Sequence, residues 1–499
     1  MRKRLLALTA ALCLLLPAAL ALSGCAASDT PVLRVYNWED YISQPTVNND
    51  GSVEDDYVDL IAQFEEEYGV RVEYSTFGTN ENMYNELKIN AGGYDLVCPS
   101  DYMIMKMIEE DMVEPFTDDF LQNGTYSQYV SPYIADLFER NGWTRYAAAY
   151  MWGTMGYVYN PELVDMQDMT SWAGIWNEKY AGKSTIKDSV RDSYFLGVAY
   201  VCRDELTALA QEYAQGALNL TEYNERVTEI MNRTDGQTIA DVKDALLDLK
   251  QYLYGFEVDS GKQDMVTGKI SINFAWSGDA VFTMDEAEPV FDEETGEMTA
   301  DGIYLNYAVP EECSNIWFDG WVMPKGANVG LAQKFIDFLS RPENAVANMN
   351  FIGYTSAVAG DAVFEEMTDW YSEGEAGDTD ENGQPLCRYD LNYFFGGTGE
   401  YDDYSIYVSE ESLNRQISAQ YPTEEVLARS AVMQYFDNET NTAVNEMWEE
   451  VKGLPIPVWA YVAIAVIAAG IAVIALSYVY KGRRREAKPR RGYRRADAK

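Results

Sequence analysis

Apolar positions along the chain switch between two periods in regular alternation. Leu33-Arg34-Val35-Tyr36 reads as a strand, after which Tyr57, Leu60, Ile61, Phe64 and Tyr68 recur at helical spacing and stop at Gly69. Val70, Val72 and Tyr74 alternate as a second strand. A short helix over residues 82–90 ends at Gly92-Gly93, and Tyr94-Asp95-Leu96-Val97-Cys98 is a third strand. Pro99-Ser100-Asp101 then opens a helix, with Ser100 or Asp101 as its N-cap. This strand-helix-strand-helix-strand order predicts a parallel sheet with helices on its faces. Ligands of such sheets bind beyond the carboxyl ends of the strands, so topology alone nominates Asn37, Trp38, Tyr41, Ser100 and Tyr102.

Similar units recur further on. Val242, Ala245, Leu246, Leu249 and Leu253 mark a helix, Ile270 to Trp276 a strand, and Leu331, Phe335, Phe338 and Leu339 another helix. Two stretches depart from the pattern. Residues 287–302 carry the acidic turn Asp292-Glu293-Glu294-Thr295-Gly296-Glu297 and read as a surface hairpin. Residues 371–415 are rich in Asp, Glu, Gly and Tyr without a clear period, and read as an insertion or long loop. No internal repeat of 20 to 50 residues is visible.

The ends follow other rules. Arg2, Lys3 and Arg4 precede an uncharged apolar stretch from Leu5 to Leu22, the arrangement of a secretory signal. Leu22-Ser23-Gly24-Cys25 resembles the bacterial lipobox, which makes residues 1–24 a lipoprotein signal peptide and Cys25 the lipidated residue. From Val458 to Tyr480 the chain carries no charge and is long enough to cross a bilayer as a helix. Lys481, Arg483, Arg484 and Arg485 follow at once, so the basic tail 481–499 is expected in the cytoplasm and everything before Pro455 outside. The signal peptide demands the same orientation.

Composition narrows the chemistry. With no histidine among 499 residues, a Ser-His-Asp triad, a Cys-His dyad and a His-ligated zinc are excluded. A formal charge of −44 argues against a nucleic-acid partner, since phosphate binding runs on Lys and Arg. The tail is basic, so the exported part is more acidic than the whole. Cys98, Cys202, Cys313 and Cys387 could pair in an exported protein, but their wide spacing shows no disulfide framework and leaves any connectivity open. Neither a metal nor a cofactor is expected.

Val35-Tyr36-Asn37-Trp38-Glu39-Asp40-Tyr41, Tyr94-Asp95-Leu96-Val97-Cys98-Pro99-Ser100-Asp101-Tyr102, Met151-Trp152-Gly153-Thr154-Met155-Gly156, Asp188-Ser189-Val190-Arg191-Asp192, Ala275-Trp276-Ser277-Gly278-Asp279-Ala280, Ile316-Trp317-Phe318-Asp319 and Phe351-Ile352-Gly353-Tyr354-Thr355 stand in this order. Together they resemble the spermidine/putrescine-binding proteins of bacterial ABC importers, over roughly residues 32–360 and 420–452. The resemblance implies an α/β, two-lobed periplasmic-binding-protein fold of type II with a hinge between the lobes. Lobe one would be residues 32–155 plus about 317–415, and lobe two 156–316 plus about 416–452.

The resemblance also implies a site. A polyamine is an apolar chain bearing ammonium groups, which calls for aromatic walls and fixed carboxylates. Trp38, Tyr41, Tyr102, Trp276, Trp317 and Tyr354 would be the walls, and Asp319 and Asp192 the anions. Asp192 stands where the family often has Glu, and Ser189 where some members carry a second acid, for which Asp188 can substitute. Ser100 and Gln434 would be polar contacts. The implied partners are a polyamine, a permease and a separate ATPase, for the chain has no Gly-x-x-x-x-Gly-Lys-Ser/Thr pattern of its own. Three other readings stay open: a glycosidase using a carboxylate pair, a membrane-tethered sensor with the same clamshell, and the same fold holding a sugar, iron or a thiamine-like cation.

Overall fold

The computed structural model describes residues 30–47, 53–55, 57–292 and 295–453. The signal stretch, Cys25, the apolar run 458–480 and the basic tail lie outside them. Among the described residues no helix is long and apolar enough to cross a membrane. The described residues up to Met447 form one compact unit, and from Trp448 a second begins, of which the end of the helix Asn438–Lys452 is described.

Eight strands lie on the main path of the large sheet: β1 Val32–Trp38, β2 Arg71–Phe77, β3 Leu96–Val97, β4 Ala147–Tyr159, β5 Ser184–Lys187, β6 Gly255–Glu257, β7 Ile272–Trp276 and β8 Ser314–Pro324. Their spatial order is β2-β1-β3-β8-β4-β7-β5-β6. β1 pairs in parallel with β2 and β3, and β5 pairs in parallel with β6 and β7. Between these groups β8 and β4 run antiparallel, Ile316 opposite Thr154 and Val322 opposite Ala147. Each parallel group has the order second-first-third, with its third strand next to the central pair. The chain therefore uses one α/β topology twice, although no sequence repeat betrays it.

The first group forms as its pattern predicts. The helix Leu60–Tyr68 buries Leu60 and Phe64; Asp59 caps its first turn, and Gly69 ends it at φ 63°, a left-handed position that glycine takes without strain. Tyr57 lies before the cap and is exposed. The central pair has another signature. All of β4 is buried, so its residues read as a continuous run instead of an alternation. Opposite Asp319 and Gly320 the register slips, Asp319 facing Met151 and Gly320 facing Ala149. That bulge turns the strand where a site is built.

Residues 287–302 form the expected hairpin, with exposed strands Val290–Phe291 and Met298–Ala300 paired antiparallel. The stretch 371–415 differs from the expected loop. Cys387–Asp390 pairs antiparallel with Ser405–Val408, and the helix Asn392–Phe395 lies between them. Phe394 stacks on Trp152 of β4 at 5.4 Å, and Phe395 on Tyr404 at 5.7 Å. Aromatic burial orders a segment whose acidic and glycine-rich turns hide its period. Cys98, Cys202, Cys313 and Cys387 are all free thiols.

Candidate solute-binding site

The two parallel groups bring their carboxyl ends to one place. From the first come Trp38 and Tyr41 after β1, and Ser100 to Tyr102 after β3. From the second come Lys187 and the helix Val190–Val201 after β5, Glu257 at the end of β6, and Trp276 to Asp279 after β7. Both satisfy the rule that α/β sheets bind ligands beyond their strand ends.

Asp319 sits at the bulge of β8, 8% exposed. Tyr41 donates to its Oδ2 at 2.7 Å and Ser100 to its Oδ1 at 2.7 Å. Burial pushes its carboxyl up to about 6, against the pull of those two hydroxyls. The Ser100 side chain makes no cap bond to the helix Asp101–Glu109; it reaches Asp319 and accepts from Asn80 Nδ2 at 3.0 Å. Around this acid the rings meet edge to face, Tyr41 with Tyr354 at 6.0 Å and Trp317 with Tyr354 at 5.5 Å. Trp317 is fixed by its indole N–H on the Thr154 carbonyl at 3.1 Å. Two glycines give these rings room. A Cβ at Gly278 would stand 1.9 Å from Tyr354 Cδ1, and one at Gly153 would stand 2.8 Å from Trp317 Cζ2.

The second group supplies a charged network. Lys187, 1% exposed, lies 3.0 Å from Asp279 and 3.3 Å from Glu257, while Lys262 reaches Asp279 at 3.3 Å and Tyr354 donates to it at 3.0 Å. Burial works against the charge on Asp279, but the two ammonium groups outweigh it and hold the carboxyl below its ordinary range. The Lys187 ammonium also lies 4.3 Å from the centre of the Trp276 ring. One face of Trp276 is thus engaged by the protein's own cation.

Asp192 is buried on the first turn of its helix, where the Ser189 hydroxyl caps its N–H. Burial raises its carboxyl, opposed by hydrogen bonds from Ser189 and Trp276 and by the charges of Lys187 and Arg191. Arg191 is also buried: its guanidinium lies 3.7 Å from the Phe436 ring centre and 4.8 Å from that of Tyr102, and donates to the Gln434 carbonyl. Asp101 is 3% exposed, with Oδ1 taking the Tyr102 N–H and Oδ2 without a partner; burial pushes it up to about 8.

The structure therefore gathers Tyr41, Ser100, Asp319, Trp317 and Tyr354 around one acid, and Asp192 with Trp276 around a second. Tyr102 stands between Arg191 and Glu81, to which its hydroxyl donates at 3.1 Å. Trp38 is half-buried and packs on Phe77 at 4.5 Å. Asp188 and Gln434 are exposed; the Asp188 N–H donates to the Glu257 carbonyl, and the Gln434 carbonyl accepts from Arg191. Lys187, Asp279, Glu257, Arg191 and Asp101 were not read as site residues. Lys187 carried a signal, a lysine ending a strand of otherwise small or apolar residues. Asp279 and Arg191 stood inside quoted motifs. A cavity of about 530 Å³ lies apart from this constellation, lined by Asp285, Glu288, Trp370, Tyr371 and Arg415 among others.

Residues 59–373 match the family described as bacterial extracellular solute-binding protein. The chain belongs to that family. It is 28% identical over 338 residues to the spermidine/putrescine-binding periplasmic protein of Escherichia coli, spanning 67% of this chain and 80% of that protein. It is 24% identical over 347 residues to the putrescine-binding periplasmic protein PotF of the same organism, spanning 67% and 80%. Among solved structures, the spermidine/putrescine ABC transporter substrate-binding protein PotD of Streptococcus pneumoniae superposes with TM-score 0.53 at 24% identity, covering 85% of this chain and 99% of that one. The Tp0655 lipoprotein of Treponema pallidum gives 0.54 at 19% identity, with 84% and 99% covered. These likenesses establish the two-lobed periplasmic-binding-protein fold, and family membership makes the chain a binding protein, not an enzyme.

Proposed function

We propose that this chain is the extracytoplasmic polyamine-binding subunit of an ABC importer, capturing spermidine or putrescine and delivering it to a permease powered by a separate ATPase. One observation carries the reading: a buried carboxylate, Asp319, is ringed by Tyr41, Tyr354 and Trp317, and a second buried acid, Asp192, stands beside Trp276. Rings line the methylenes and attract the ammonium groups, while the acids fix the chain's ends. The names of the curated relatives point the same way.

In this reading Trp38, Ser100 and Tyr102 complete the walls on the first side, and Asp188 and Gln434 act at the rim. Residues 32–155 with about 317–415 form lobe one, and 156–316 with about 416–452 form lobe two. Residues 1–24 direct export, Cys25 takes the lipid, Val458 to Tyr480 spans the membrane and the basic tail stays inside. The acidic exterior keeps the domain soluble and secondarily steers a polycation towards it.

The test is calorimetric titration of the purified full-length chain with putrescine, spermidine and spermine, repeated on Asp319→Ala and Trp276→Ala. Binding by the parent with loss in both variants is expected, and a ligand at 100 times its Kd should stabilise the parent by about 2.7 kcal/mol. Absence of heat and of thermal stabilisation with every polyamine would refute the function. Unchanged binding by both variants would refute the site.

A further inference from the structure

We infer that the cavity of about 530 Å³ beside the helix Ser277–Ala287 is a second binding site, for a small organic cation of the guanidinium type, whatever the Asp319 constellation holds. The cavity opens between two hydrophobic cores. Met349 and Ile417 belong to the core that includes Tyr36 and Val97 of the first strand group, and Val281 to the core that includes Ala275 of the second. Three helices of 11 residues, Ser277–Ala287, Pro342–Ile352 and Asp361–Tyr371, end at it, where Glu288, Gly353 and Tyr371 line the wall. Helix C-termini carry partial negative charge and favour a cation.

The side chains add to that charge. Among the lining residues the carboxylates are Asp285, Glu288 and Glu373, and the one cation is Arg415. Arg415 is already engaged: it donates to Glu288 and lies over the Tyr304 ring at 4.7 Å. Asp285 and Glu373 have no cation among the described residues. Asp285 accepts from the Gln416 amide at 2.9 Å, and Glu373 takes Ser409 and Ser412 on one oxygen. Partial burial raises the Asp285 carboxyl; Glu288 and Glu286 raise it further, and Gln416 and Arg415 oppose them. Gln420, which also lines the cavity, is 3% exposed, and its Oε1 has no partner. A buried amide oxygen left unpaired is costly, and a ligand N–H would satisfy it. Trp370 leaves 36% of its surface uncovered on the same wall.

No group of three acids or thiols among the described residues could hold a metal ion, so the charge calls for an organic cation. A guanidinium is planar, forks onto carboxylates and stacks on an indole face. Arg415 shows the same pairing here, with a carboxylate and a ring as its partners. The volume suits a small molecule.

The experiment titrates the full-length chain, with putrescine in excess and about 0.15 M salt to screen diffuse attraction, with benzylguanidine, benzylamine and benzyl alcohol. Benzylguanidine should bind one equivalent, benzylamine at least about threefold more weakly, and the neutral alcohol without measurable affinity. Asp285→Asn combined with Glu373→Gln should weaken benzylguanidine by about tenfold, and Trp370→Ala by at least about threefold. Both variants should bind putrescine like the parent, and Asp319→Ala should bind benzylguanidine like the parent. Uptake that never saturates, benzyl alcohol or benzylamine binding as tightly as benzylguanidine, or an affinity unmoved in the double variant would each overturn the inference. So would loss of benzylguanidine binding in Asp319→Ala with retention in the double variant, which would place the cation in the first site. Should the double variant fail to fold, Trp370→Ala and the three-ligand series decide. Failure of putrescine to bind the parent would refute the polyamine reading and leave this second site standing.

Discussion

Asp319→Asn should uncouple ligand binding from stability, because the charge that serves the first costs the second. In the folded protein the carboxyl is 8% exposed and titrates at about 6, against 3.8 ordinarily. The folded state therefore holds the proton more tightly than the unfolded state, which binds fewer protons between pH 4 and 6. Stability of the unliganded protein falls as pH rises through that window. Two pH units correspond to about 3 kcal/mol, a cost fully present above pH 6. Asparagine keeps the shape and one acceptor for Tyr41 or Ser100 but carries no charge, so at pH 7.5 the variant should gain between about 0 and 3 kcal/mol. Binding moves the other way. A buried ammonium that loses its carboxylate forfeits about 3 to 5 kcal/mol, which weakens Kd by a factor of about 100 to several thousand. Urea denaturation without ligand and titration with putrescine, both at pH 7.5, read the two quantities. Binding within a few-fold of the parent, or a loss of more than about 2 kcal/mol of unliganded stability, would refute the electrostatic account of this site.

The same titration predicts that polyamine affinity weakens as pH falls below about 6, by up to about tenfold per pH unit; calorimetry in buffers from pH 5 to 8 reads it, and the slope near pH 6 should vanish in Asp319→Asn. Lys187→Met leaves Asp279 and Glu257 buried without their shared cation and should cost about 3 to 5 kcal/mol by urea denaturation, where a change under 1 kcal/mol would count against the network. Phe394→Ala removes a ring stacked on Trp152 and should destabilise the parent by about 3 to 5 kcal/mol; a neutral result would mean that residues 371–415 are a surface appendage after all.

The sequence by itself determined the elements with a clear period. β1, β2 and β3 with their helices were legible because the helices repeat an apolar stripe and the strands are short apolar or alternating runs bounded by turn residues, and their carboxyl ends nominated Trp38, Tyr41, Ser100 and Tyr102 before any contact was known. Ordered motifs added Asp192, Trp276, Trp317, Asp319 and Tyr354. Tertiary structure decided what periodicity cannot carry. β4 is buried throughout and so has no alternation to read, and the aromatics of residues 371–415 find their partners only on Trp152 and on one another. The Ser100 hydroxyl, expected at a helix cap, goes to Asp319, a contact between residues 219 positions apart. Arg191 and Lys187 count as cations in the site only once the two strand groups stand end to end. Local sequence specifies propensity and face, whereas the sum of charges in a cleft depends on which distant strand ends the fold brings together.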